Sequence, residues 1–266
     1  MTFAPVNGIE LYYELHGPAV GTAPVILFAH GAGGNHLSWW QQVPHFRDRF
    51  TCVTIDHRGY GQSKDLPGRD SGVAPGGASF VEDLHALLDH LGIAKANLVA
   101  QSMGGWTCLG FTVKYPGRVE KLVMADTYGG LTGPAISAAQ ATAAGLPRPE
   151  LPPGIHVGAG AGMAKEQPAL AFLYGQMEAL NPPRTAREMQ ADLALAAAPT
   201  EQEAAALQTP ILFLIGEDDV VIRPVILEAA ARCFPNATVA RVPAAGHSVY
   251  FERPDRFNEL VDQFLT

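Results

Sequence analysis

Six short runs along the chain are almost continuously apolar: Val25–Ala29, Cys52–Ile55, Leu98–Ala100, Val119–Ala125, Ile211–Ile215 and Thr238–Val242. Strands that face water on one side alternate in polarity. Unbroken apolar runs predict strands buried on both faces of a parallel sheet. The first segment reads differently, because Asn7-Gly8 is a tight-turn dipeptide leading into IELYYEL, which predicts a β-hairpin. Between the runs the period changes to that of a helix. Phe80, Leu84, Leu87, Leu88 and Leu91 share one face, with Ser79 and Glu82 at capping-box spacing before them and Gly92 as the stop. Near the end, Pro254 stands at a first helical position, and Phe257, Leu260, Val261, Phe264 and Leu265 repeat at helical spacing. Strand alternating with helix predicts an α/β fold built on a mostly parallel, doubly wound sheet.

The rhythm breaks between Thr127 and Leu207, where no strand is expected. This stretch holds a Pro-rich run, Pro147–Gly154, and GAGAG at Gly158–Gly162, with helical patches at Ala169–Leu180 and Thr185–Ala197. About 80 residues is too long and too apolar for a linker. The expectation is a mainly helical cap at 127–207, inserted after the sixth strand, with residues 1–126 and 208–266 forming the core. Lys plus Arg number 18 against 26 Asp plus Glu, a net charge of −8, and there is no basic run, which disfavours nucleic acid and anionic membrane as partners. No apolar stretch is long enough to cross a membrane, and the N-terminal segment lacks the basic and apolar regions of a signal peptide. The three cysteines, Cys52, Cys108 and Cys233, are scattered and read as free thiols of a reducing compartment. A cytoplasmic monomer or homodimer is expected.

Candidate chemistry centres on LVAQSMGGW, Leu98 to Trp106. Ser102 follows a predicted strand and precedes a helical run from Met103 to Tyr115, the context of a strained strand–serine–helix turn. Such a turn needs small residues two positions away on either side, and Ala100 and Gly104 supply them. His247 follows the last predicted strand in PAAGHSVYFERP. A carboxylate is needed to hold its tautomer. Asp219, just past the strand Ile211–Ile215, is preferred, Asp218 is its surface neighbour, and Asp126 at the end of Val119–Ala125 is the alternative acid. No dinucleotide fingerprint is complete, since His36 stands where the last glycine belongs, and no phosphate loop or metal-ligand set is present in the sequence.

Taken together these segments resemble the α/β-hydrolase superfamily over nearly the whole chain. The order Ser102, Asp219, His247 matches the superfamily's order. VILFAHGAGGN resembles its His-Gly loop, TIDHRGYGQS (Thr54–Ser63) its Asp-x-Arg-Gly-x-Gly-x-Ser segment, and GHSVYFERPDRFNELVDQFL its C-terminal signature. The resemblance implies an oxyanion hole from the backbone N–H groups of Ala32 and Met103. It also implies that His30 organises its loop, and that Asp56 and Arg58 form a structural pair or turn. His36, Trp106, Tyr128 and Val249 are candidate pocket residues, with Asn35, Trp39, Trp40, Phe172 and Met177 as further ones. The expected function is a cofactor-free, metal-free serine hydrolase, an esterase or lactonase acting on a mostly apolar, uncharged small-molecule ester or lactone through an acyl-enzyme. The alternatives are a carbon–carbon bond hydrolase acting on a diketone-like substrate, a weakly catalytic, receptor-like ligand-binding protein, and a non-hydrolytic lyase or cyclase.

Overall fold

A computed structural model of the chain describes residues 2–65, 76–147 and 156–266. The Pro-rich run named above therefore lies outside the described residues from position 148 onward. The chain opens with the hairpin of β1 (Thr2–Val6) and β2 (Ile9–His16), turning at Asn7 and Gly8, both with positive φ. It continues through β3 (Val25–Ala29), the short helix α1 (Val43–Phe46), β4 (Thr51–Ile55) and the two-residue β5 (Lys64–Asp65). After α2 (Phe80–His90) come β6 (Ala96–Gln101), α3 (Gly104–Lys114) and β7 (Val119–Ala125). Among the described residues, five helices follow with no named strand between them: α4 (Pro134–Ala144), α5 (Ala161–Glu166), α6 (Pro168–Glu178), α7 (Ala186–Ala194) and α8 (Glu201–Ala206). The core closes with β8 (Ile211–Gly216), α9 (Pro224–Ala231), β9 (Ala237–Val242), α10 (Val249–Glu252) and α11 (Pro254–Leu265).

The main sheet has the order β1-β2-β4-β3-β6-β7-β8-β9, with β5 pairing β2 at its side. β1 and β2 are antiparallel, and the six strands from β4 to β9 along that order are parallel. The apolar runs work as expected in the centre. In β3, Leu27 and Ala29 face one core with Leu98, Leu122 and Met124, while Ile26 and Phe28 face the other with Val99, Val123 and Leu214. Period-two alternation thus survives, but both faces are apolar because helices cover both. β9 departs from the expectation: it is an edge strand and, apart from Val242, largely open to solvent. The capping box at Ser79 is also absent. Gly76–Ser79 is a 3₁₀ turn that leads straight into α2, so Ser79 has helical rather than extended dihedrals and its hydroxyl caps nothing. Glu82 instead accepts from Lys114 at 2.6 Å and from Tyr115. No helix among the described residues is long and apolar enough to cross a membrane.

All six parallel strands end at the same edge of the sheet, and it is there that loops can bring distant residues together. Ser102 follows β6, Asp126 follows β7, Asp219 follows β8 and His247 follows β9.

Candidate active site

Ser102 sits between β6 and α3 with φ of +47°, a left-handed conformation that costs a non-glycine residue about 1–3 kcal/mol. The turn is held by Ser102 N–H donating to Ala125 at 3.1 Å and by Gly105 N–H donating to Ser102 at 2.9 Å. The two small flanking residues have unequal roles. A Cβ on Gly104 would collide with the backbone carbonyl of Ala29, so α3 can approach β3 only with glycine there. Ala100 is fully buried in the core, in register with Ala29 and Met124, and its methyl is accommodated.

His247 Nε2 lies 2.8 Å from Ser102 Oγ, and His247 Nδ1 lies 2.8 Å from Asp219 Oδ2. Asp219 is wholly buried, and its Oδ1 accepts the N–H groups of Val221 at 2.7 Å and Ile222 at 3.0 Å. Asp218 is exposed. Asp126 does not reach the imidazole. Its Oδ1 accepts Gly216 N–H at 2.9 Å and its Oδ2 accepts Val249 N–H at 3.0 Å, so it ties two loops together instead. The sequence alone left two carboxylates in contention, and the hydrogen bonds pair His247 with Asp219. Burial works against a charged imidazole, but the Asp219 carboxylate at hydrogen-bond distance outweighs it and raises the His247 pKa. Burial, with the neighbouring Asp219 charge, raises the Asp126 pKa, while the Gly216 and Val249 N–H groups on its two oxygens favour the charged form.

Across the cleft, His30 Nδ1 donates to Gly31 O at 2.7 Å and its Nε2 accepts His57 N–H at 3.0 Å, which fixes the turn carrying Ala32. Full burial lowers the His30 pKa to about 4, so it is a neutral organiser. The N–H groups of Ala32 and Met103 border the same cavity as Ser102 and have no acceptor among the described residues. The Thr54–Ser63 segment forms a turn, but not the pair that adjacency suggested. Asp56 accepts His36 and Gln62 N–H groups, whereas Arg58 makes a buried bidentate pair with Asp83 at 2.6 and 2.9 Å.

Ser102, Ala32 and Met103 open into a cavity of about 620 Å³ walled by Trp106, Tyr128, Gln140 of α4, Met189, Gln190 and Leu193 of α7, and Val221, Ile222 and Ile226. Trp106 and Tyr128 therefore line it, meeting edge to face at 5.2 Å. His36 does not: its ring turns away to Asp56 Oδ1 at 2.9 Å and packs on Tyr12. Val249 does not either, because its N–H is engaged by Asp126 and its side chain is buried in the second core. Asn35 caps its own turn and donates to Met177 O. Trp39 and Met177 are core residues, and Trp40 and Phe172 are exposed. Among the described lining residues there is no Asp, Glu, Lys, Arg or His. A second recess of about 400 Å³ shares Ala32 and Met189 with the first and is more polar, with Tyr60, Glu178, Asn181 and Arg184 on its walls.

Sequence reasoning missed two buried side chains beside His247. Gln101 Nε2 donates to His247 O at 2.7 Å, and Glu252 Oε1 accepts Gly246 N–H at 3.1 Å. Both were in view, one next to the serine and one inside the C-terminal signature, but a polar residue's burial is not written in its neighbours.

Comparison with known proteins agrees with this architecture. The model for the alpha/beta hydrolase fold matches residues 24–150, and that for TAP-like proteins matches 192–266. A thermophilic esterase from Thermogutta terrifontis is 30% identical with a TM-score of 0.76, covering 99% of this chain and 96% of its own. The enol-lactonase of Burkholderia xenovorans LB400 is 27% identical with a TM-score of 0.76, covering 99% of each chain. RutD of Caulobacter vibrioides is 36% identical over 127 residues, a match that spans 47% of this chain and only 45% of that relative. The chain belongs to the α/β-hydrolase family.

Proposed function

We propose that the chain is a serine hydrolase of carboxylic esters, lactones included, and that helices α4 to α8, within 127–207, act as its cap. One observation carries the reading: Ser102 Oγ, His247 Nε2 and Nδ1, and Asp219 Oδ2 form one chain of 2.8 Å contacts that opens on a cavity with no charged side chain among its described lining residues. The names of the esterase and enol-lactonase neighbours support the same class.

The geometry leads to an acyl-enzyme. Ser102 Oγ attacks the ester carbonyl while His247 Nε2 takes its proton, and Asp219 stabilises the imidazolium through Nδ1–H. The carbonyl electron pair moves onto oxygen, where the N–H groups of Ala32 and Met103 receive it. One such donor is worth roughly 3–4 kcal/mol. The tetrahedral species collapses, the alcohol departs with the proton from His247, and water activated by His247 then releases the acid and regenerates Ser102. The 620 Å³ chamber suits an uncharged, largely apolar arm of the substrate. The polar recess beyond Ala32 receives the other arm.

The test is intact-mass measurement after treatment with a fluorophosphonate, together with turnover of a panel of p-nitrophenyl esters and small lactones. One adduct per chain, lost in Ser102→Ala, is expected, with ester turnover lost in parallel. Labelling that persists in Ser102→Ala overturns the assignment. Labelling without turnover of any ester or lactone favours a receptor-like role.

A further inference from the structure

Two buried carboxylates sit beside the histidine and take no part in the chain from Asp219 to Ser102. Glu252, in α10, is 1% exposed, yet it makes no ion pair within 4 Å among the described residues. Its Oε1 accepts the N–H of Gly246 at 3.1 Å and that of Ser248 at 3.4 Å, the residues on either side of His247. Asp126 takes the next amide, Val249 N–H, with one oxygen and Gly216 N–H, three residues before Asp219, with the other. Gln101, adjacent to Ser102, donates to the carbonyl of His247 itself. The N–H groups of Gly246, Ser248 and Val249 and the carbonyl of His247 are thus taken by three buried side chains, which come from α10, the end of β7 and the end of β6.

We propose that Glu252 and Asp126 are positioning residues for His247, fixing its loop against the Asp219 loop through backbone amides and keeping negative charge beside the imidazole. Anchoring alone could be done by neutral amides, as Gln101 does. A buried carboxylate is costly to leave without a cation, so its use at two positions around one histidine calls for an electrostatic reason. An imidazole that must accept a proton from Ser102 in a closed site gains from negative charge on its flanks. Burial pushes Glu252 up to about 7 in spite of the two amides it accepts, so its charge changes in the range where the histidine works. The groups facing His247 are Asp219 after β8, Asp126 after β7 and Glu252 in α10. Tyr174 of α6 and Tyr250 stand close to the two carboxylates, and Arg253 moderates Glu252. The protons of this set come off in steps that belong to the group.

The inference rests on Ser102 being the nucleophile, and the test separates the two. The rate of fluorophosphonate labelling is measured against pH for the intact wild type, Glu252→Gln, Glu252→Ala and Asp126→Asn, each checked for folding by circular dichroism. Labelling requires neutral His247, so its rate climbs with pH through the histidine's titration. Removing a neighbouring negative charge lowers the imidazolium pKa, so the midpoint moves to lower pH, by about half a unit or more in Glu252→Gln and in Asp126→Asn. Glu252→Ala also frees the two amides and is expected to lower the plateau rate about tenfold to a hundredfold. Glu252→Gln keeps the shape and one acceptor oxygen, and it carries the test if the alanine variant does not fold. An unmoved or raised midpoint in both charge-removing variants overturns the proposal, whatever their plateau. A wild type that does not label at all overturns the reading of Ser102 first.

Discussion

Replacing Asp219 by Asn is the sharpest perturbation the site offers, because its consequence follows from hydrogen-bond directions. Asp219 Oδ1 accepts two N–H groups, from the half-buried turn at Val221 at 2.7 Å and from buried Ile222 at 3.0 Å, while Oδ2 faces His247 Nδ1 at 2.8 Å. An Asn side chain has one oxygen and one NH₂ to divide between these places. Setting NH₂ against the two amides would leave both donors without an acceptor, at about 1–3 kcal/mol for buried Ile222 and less for Val221. The carbonyl oxygen therefore stays with Val221 and Ile222, favoured by ~2 kcal/mol, or about thirtyfold. NH₂ then donates to Nδ1, which must accept, so the ring proton moves to Nε2 and points at Ser102 Oγ. The base has become a donor, and kcat is expected to fall about 10⁴-fold. Asp219 does not line the 620 Å³ chamber, so KM should change little. The assay is kcat and KM on the best ester of the panel, with Asp218→Asn as the exposed control that keeps wild-type kinetics. An Asp219→Asn enzyme within about tenfold of wild-type kcat refutes the tautomer argument.

Ser102→Gly removes a side chain from a residue at φ of +47°, so it should raise the thermal midpoint by the equivalent of about 1 kcal/mol while abolishing turnover; a lower midpoint would mean the elbow is unstrained. Gly104→Ala should cost about 3 kcal/mol or more, since its Cβ meets the Ala29 backbone, whereas Ala100→Gly should cost about 1 kcal/mol and leave activity within a few-fold; urea unfolding and ester assays on both variants check this. His30 is neutral when folded, with its pKa lowered from 6.5 to about 4, but takes up a proton when unfolded below pH 6.5. Its stabilising effect is therefore present above pH 6.5 and lost as pH falls towards 4, a loss of about 3 kcal/mol that urea midpoints across this range should reveal.

What could be read from the chain alone, and what could not, divides along a physical line. β3 and β8 were legible because a strand covered on both faces must be apolar throughout, and every residue of both is buried; β7 obeys the rule from Leu122 to Ala125, after the exposed Glu120. The same rule failed for β9, where an edge position removes the demand for burial and the apolar run is short. The meeting of Ser102, Asp219 and His247 was legible because each follows a strand end, so topology alone sends them to one edge of the sheet. Asp126 follows a strand end too, and sequence gave no means of discarding it. What separates the two acids is direction: Asp126 spends both oxygens on Gly216 and Val249, and Asp219 spends only one on backbone. His36 failed as a pocket residue for the same reason, since adjacency to the His30 loop says nothing about which way a ring turns. Its backbone N–H and Nδ1 both go to Asp56, twenty residues away. The pocket was the least legible part. Met189, Gln190 and Leu193 line it only because α7 lies beside Ser102, and nothing in the order AREMQADLA says which of its residues will face the serine. Chemistry carried on strand ends is therefore written in order and spacing. Specificity carried on a packed helix is written only in three dimensions, so variation in α7 should change which substrate is hydrolysed without changing how it is hydrolysed.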